Sequence, residues 1–156
     1  MYEDLVADFA RRTRTNLEGL RTIKRQNPNM EVYEVTQLIN SMLGLLVFPQ
    51  QRYIDRIPQT PLEELTADGW PIPKVTGDYP QAEDLQKLVR LLRNGISHFN
   101  IEFIPDTQGE ISALSIWNTE PRPPHRVTWK AELSIDDLER ITSRFTALLL
   151  NEKNDQ

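Results

Sequence analysis

The segment LQKLVRLLRNGISHFNIEF, residues 85–103, holds the side chains whose types and spacing are best suited to chemistry. Arg93 and His98 stand five positions apart, with Asn94 and Gly95 between them, and the other histidine of the chain is His125. An imidazole titrates near neutral pH, so His98 can donate or accept a proton. The spacing restricts how it can work with Arg93. Five positions on a continuous α-helix turn through about 140°, so Arg93 and His98 do not share a face. Asn94 and His98, four apart, do. Convergence of Arg93 and His98 therefore needs a helix that ends or bends near Gly95, a second copy of the corner across an interface, or both. At a helix C-terminus the backbone dipole favours a protonated imidazole. The plainer reading is a helix stop that carries ordinary cationic capping residues.

The elements that must position this corner follow from hydrophobic periodicity. Residues 2–27 read as a helix with Leu5, Phe9, Asn16, Leu20 and Ile23 along one stripe, ended by Pro28. A second helix spans about 31–48 and stops before Pro49. Its segment LINSMLGLLVF is apolar almost all round, which implies burial on several sides or a subunit interface. Residues 49–80 contain six of the 11 prolines, so they read as a long proline-rich loop, of the kind that is functional or mobile. TPLEELTA within it offers a short helix with Thr60 as cap and Pro61 in the first turn.

A third helix over about 81–96 buries Leu85, Leu88, Val89, Leu92 and Ile96. The period then changes. NIEFIP, EISALSIWN and RVTWKAEL alternate and are rich in β-branched and aromatic residues, giving three strands over about 100–133. PDTQGE reads as the hairpin turn between the first two, and TEPRPPHR as a stiff connection before the third. Ser134 and Asp137 resemble a capped helix start, and Ile135, Leu138, Ile141, Phe145 and Leu148 mark a last helix over about 134–152. The expected architecture is one mainly α domain over 1–156, a four-helix bundle with a three-stranded antiparallel β insertion before its last helix.

With 156 residues the chain can bury a core without staples, and it has no cysteine, which excludes disulfides, thiolate metal sites and cysteine nucleophiles. No metal-ligand spacing or phosphate-binding glycine loop is present, so neither a metal nor a cofactor is expected. The formal net charge of −5 argues against coating nucleic acid by bulk electrostatics but leaves room for a local basic groove. The N-terminus carries acids where a secretory signal would be basic. The longest apolar run is too short to span a bilayer and is broken by Asn40 and Ser41. A cytoplasmic protein without membrane insertion is the expectation.

LLRNGISHF, with a polar Asn directly after the Arg, closely resembles the R-x4-6-H signature of HEPN domains. EVTQLINSMLGLLVFPQ and the run from HFNIEFIP to TWKAELSIDDL extend the likeness to a family of bacterial, often plasmid-borne, HEPN nucleases over about residues 31–150, with 51–80 adding little. The resemblance implies a helical bundle and a metal-independent ribonuclease acting on RNA as a homodimer, in a toxin–antitoxin or antiphage role. It implies that Arg93 and His98 are the catalytic pair and that Asn94 orients the imidazole or the phosphate. Attack by a ribose 2′-hydroxyl would leave a 2′,3′-cyclic phosphate. An antitoxin or regulatory protein would be a further partner. Some HEPN toxins carry a tyrosine two residues after the histidine that a partner modifies; here that residue is Asn100, which argues against such control. The alternative function is a non-catalytic RNA- or protein-binding HEPN module that keeps the corner.

Four residues outside the corner are candidate RNA contacts. Most of the cations in the second half of the first helix read as a solvated face, but Arg12 and Asn16 lie on or near its apolar stripe and would point into a cleft. Asn40, with Thr36 and Gln37, interrupts the apolar second helix and would line the cleft that holds His98, or serve as a satisfied core polar. His125, beside Arg122 and Arg126, offers a second basic contact, though PRPPHR reads first as a rigid surface turn. Trp70, Trp117 and Trp129 are potential stacking platforms; the last two fall in alternating strands and read as core.

Overall fold

The computed structural model describes residues 2–49 and 51–151. Helix α1 spans Tyr2–Gln26, α2 Glu34–Val47, α5 Leu85–Ser97 and α6 Ile135–Asn151, with short α3 at Gln51–Ile54 and α4 at Leu62–Leu65. The strands are β1 Lys74–Val75, β2 Ile101–Pro105, β3 Ile111–Thr119 and β4 Val127–Ser134. They form one antiparallel sheet in the order β1-β4-β3-β2. The chain is thus mixed α and β with a four-stranded sheet, which corrects the expected three-stranded insertion in a helical bundle. The extra strand is β1, which pairs Lys74 with Glu132 and Val75 with Ala131. Two residues carry no alternation signal, so only the long-range pairing reveals them.

α5 and α6 lie against the sheet, while α1 and α2 pack on α6 and on each other. Leu114 and Ile116 of β3 and Trp129, Ala131 and Leu133 of β4 alternate toward the helices and are buried. The opposite face carries the Lys74–Glu132 ion pair and Lys130 over the Trp117 ring at 5.6 Å. Trp117 is accordingly half-buried on the outer face, whereas Trp70 and Trp129 belong to the core.

The proline-rich segment is not a free loop over the surface. Tyr53, Ile54, Ile57, Leu62, Leu65 and Trp70 are all buried in the main core, and β1 joins the sheet. Pro61, rather than Thr60, occupies the cap position of α4, without a side-chain cap bond; Thr60 O instead accepts from Leu85 N at 3.0 Å. α2 begins at Glu34 after an uncapped Tyr33, and α5 begins at Leu85 because Asp84 Oδ1 accepts from Lys87 N at 2.7 Å. α6 starts with a reciprocal cap: Asp137 Oδ2 accepts from Ser134 N at 2.9 Å, and Ser134 Oγ from Asp137 N at 3.1 Å. Residue 152, the expected end of this helix, lies outside the described residues.

The buried stripe of α1 differs from the expected one. Val6, Ala10, Thr13 and Leu17 face inward, while Leu5 is 54% and Ile23 42% exposed. The buried face of α1 also includes Ala7, so it combines small residues with Val6 and Leu17. Phe9 lies on the flank, stacked on Phe48 with centroids 4.8 Å apart, and a Cβ at Gly44 would meet its ring at 2.8 Å.

Candidate functional site

α5 presents its apolar residues Leu85, Leu88, Val89, Leu92 and Ile96 to the core, together with Gly95. The helix does not end or bend at Gly95. It continues to Ser97, and Gly95 is a packing residue: a Cβ there would meet Ile116 Cγ1 at 2.6 Å and Trp117 O at 3.0 Å. A break at the glycine, one of the routes to convergence, is therefore absent, and α5 packs on β3 there.

Termination comes three residues later. Phe99 N donates to Ile96 O at 3.0 Å and Asn100 N to Gly95 O at 2.8 Å, the paired bonds of a Schellman turn. His98 is the cap residue, and its N–H donates to Asn94 O at 3.1 Å. The left-handed position is taken by Phe99, with φ 56°, where glycine is usual. In the sequence, the signal for Phe99 is the lack of a glycine or asparagine just after the histidine.

Arg93, Asn94 and His98 leave this unbroken helix in different directions. Arg93 follows Gln86 and Arg90 at helical spacing, on the flank where Gln86 Nε2 bonds Asp55 O and Ile57 O, each at 3.1 Å, and Arg90 Nη2 bonds Asp55 Oδ1 at 2.5 Å. Arg93 is half-buried and its Nε is sealed from solvent. Asn94 and His98 lie on the other side of the helix, both exposed. The structure brings these two together on one face; Arg93 stands about 140° from His98 around the axis.

The four outlying candidates are exposed and spread over three elements. Arg12 is tied to Asp8 Oδ2 at 2.7 Å on the exposed face of α1, and Arg12 and Asn16 line a shallow depression along that helix with Asp8, Arg11 and Thr15. Asn40 faces outward from α2, beside half-buried Gln37. His125 sits in the β3–β4 connection with φ 55°, and its Nδ1 lies 3.0 Å from Glu120 O. A carbonyl oxygen only accepts, so Nδ1 carries the hydrogen and Nε2 is the nitrogen left for other chemistry. The groove between α1, α2 and α6, lined by Leu17, Arg21, Glu34, Leu38 and Glu139, includes none of these candidates.

Among the described residues no cluster of three His, Asp or Glu side chains could hold a metal ion, and no helix is long and apolar enough to cross a membrane. Comparison with curated proteins and with solved structures gives no match. A family model described as HEPN pEK499 p136 matches residues 1–156, and the chain belongs to this HEPN family.

Proposed function

We propose that the chain is a metal-independent endoribonuclease of the HEPN type, acting as a homodimer in a toxin or antiphage role. The observation that carries this reading is the exposed end of α5, where Asn94 and His98 share one face, in a chain of a HEPN family. A ribose 2′-hydroxyl attacks the adjacent phosphorus while the bond to the 5′ oxygen of the next nucleotide breaks. The products are a 2′,3′-cyclic phosphate and a 5′-hydroxyl. One His98 accepts the 2′-hydroxyl proton, and a second imidazole protonates the leaving oxygen. Arg93 stabilises the charge that grows on the non-bridging oxygens, and Asn94 holds the imidazole or the phosphate.

The second imidazole belongs to another copy of the chain in this reading. An unbroken α5 keeps Arg93 away from the face of its own His98. A two-fold pair of chains supplies both missing partners with one motif. An antitoxin or regulatory protein would restrain the activity in the cell.

A second reading, a non-catalytic RNA- or protein-binding HEPN module, is favoured by the half-buried Arg93 with its sealed Nε. Labelled RNA incubated in EDTA with wild type, His98→Ala and Arg93→Ala separates the two. The expected outcome is cleavage by wild type and a fall of about 100-fold or more in each variant. Cleavage that persists in both variants removes the site assignment. Binding without cleavage by all three proteins establishes the binding module.

A further inference from the structure

Phe99 is the least economical residue of the α5 terminus. Its φ of 56° lies in the left-handed region, which costs a residue with a Cβ and is an outlier for a bulky side chain. Packing does not compensate, because Phe99 is 84% exposed. The backbone holding it is fixed on both sides. The turn bonds to Gly95 and Ile96 tie it to α5, and Asn100 O accepts from Trp117 N at 3.1 Å, tying it to the sheet. A rigid turn thus projects a bare aromatic ring immediately after His98.

The exposed residues around the turn are mainly polar, with Phe103 and Val127 as exposed apolar residues further along the sheet. Asn94, Ser97 and His98 are the exposed neighbours on α5. β2 runs antiparallel to β3, so the α5–β2 turn and the β3–β4 connection leave the same end of the sheet. That connection exposes Arg122, His125 and Arg126. An exposed ring on a fixed turn, next in the chain to the donors Ser97 and His98 and with cations leaving the same end of the sheet, suits a stacked base and its phosphates.

We infer that Phe99 is a base-binding residue: its ring stacks on the nucleobase next to the phosphate that His98 addresses, in single-stranded RNA. This rests on the ribonuclease reading above and adds a determinant of substrate choice to it. The stack selects unpaired RNA, because a base within a duplex has no free face for the ring. The strained backbone is retained because it fixes the ring relative to the imidazole.

The test compares wild type, Phe99→Gly and Phe99→Trp on a single-stranded RNA oligonucleotide and on the same oligonucleotide made abasic beside the cleaved phosphate. Phe99→Gly is expected to raise KM about tenfold or more with kcat changed by less than about twofold, and Phe99→Trp to restore it. On the abasic substrate wild type and Phe99→Gly should have the same KM. Thermal melting should show Phe99→Gly at least as stable as wild type, since glycine relieves the left-handed strain. An unchanged KM, or an equal loss on the abasic substrate, overturns the stacking and leaves the ribonuclease reading intact. Dissociation of Phe99→Gly in sedimentation also overturns it, because the ring then meets protein. A wild type that neither binds nor cleaves RNA overturns both.

Discussion

Gly95 shows how a single residue can be read for the wrong reason. A glycine three positions before a candidate histidine suggests a flexible helix stop, yet here it is helical and buried beneath β3. Its missing Cβ sets how near α5 lies to the sheet. In Gly95→Ala the new methyl would meet Cγ1 of the fully buried, β-branched Ile116 at 2.6 Å and the Trp117 carbonyl oxygen at 3.0 Å. Alanine favours helix by up to about 1 kcal/mol, but overpacking against backbone costs about 1–3 kcal/mol, so the overlap wins. Gly95→Ala should therefore lower the melting temperature by a few degrees, as thermal unfolding followed by circular dichroism would show. A raised melting temperature would mean that the glycine is not there for close approach. The hydrophobic stripe of α5 was legible in the sequence because it depends on neighbours three and four residues apart. The closeness of Gly95 to Trp117 was not, because it depends on a strand that arrives later in the chain.

At the scale of elements, local chemistry was legible at the α6 start and the β2–β3 turn, whereas the Asp84 cap that starts α5 at Leu85 was not. Ser134 and Asp137 start α6 as a reciprocal pair, and Asp106 closes the β2–β3 hairpin by accepting from Gln108 N at 2.8 Å and Glu110 N at 3.0 Å. Other misreadings fall where tertiary contacts decide. α1 buries Val6, Ala10, Thr13 and Leu17 instead of the bulkier residues beside them, and β1 exists only because β4 is there to pair with it. α6 contacts α1, α2, β3 and β4, so its cap has consequences beyond one turn. Ser134→Ala should cost about 1 kcal/mol, and removing Asp137 as well should add less than its separate effect, because the two bonds share one cap. Urea unfolding of the two single variants and the double variant measures this. Fully additive losses would show that the residues act separately.

The scale of the whole molecule decides whether the candidate corner can work at all. Within one chain, α5 is unbroken between Arg93 and Ser97. Arg93 belongs to the flank facing the 55–57 segment, while Asn94 and His98 face solvent. The sequence stated the requirement, a break near Gly95 or a second copy, but could not choose between them. The helix bounds remove the break, and the proposed homodimer then implies that Arg93 of one chain works with His98 of its partner. This makes a subunit-mixing experiment decisive. Wild type and His98→Ala would be mixed in equal amounts under conditions that allow chain exchange and assayed on labelled RNA. Random pairing leaves about a quarter of the dimers fully wild type, and every mixed dimer has lost one of the two imidazoles the site needs, so activity should fall to roughly a quarter of that of the same total amount of wild type. If each chain acted alone, the mixture would keep about half. Tethering one wild-type and one His98→Ala chain in one polypeptide should abolish activity, because every molecule is then mixed. A tethered form that keeps about half of the wild-type activity would show that the two imidazoles are not shared across the interface.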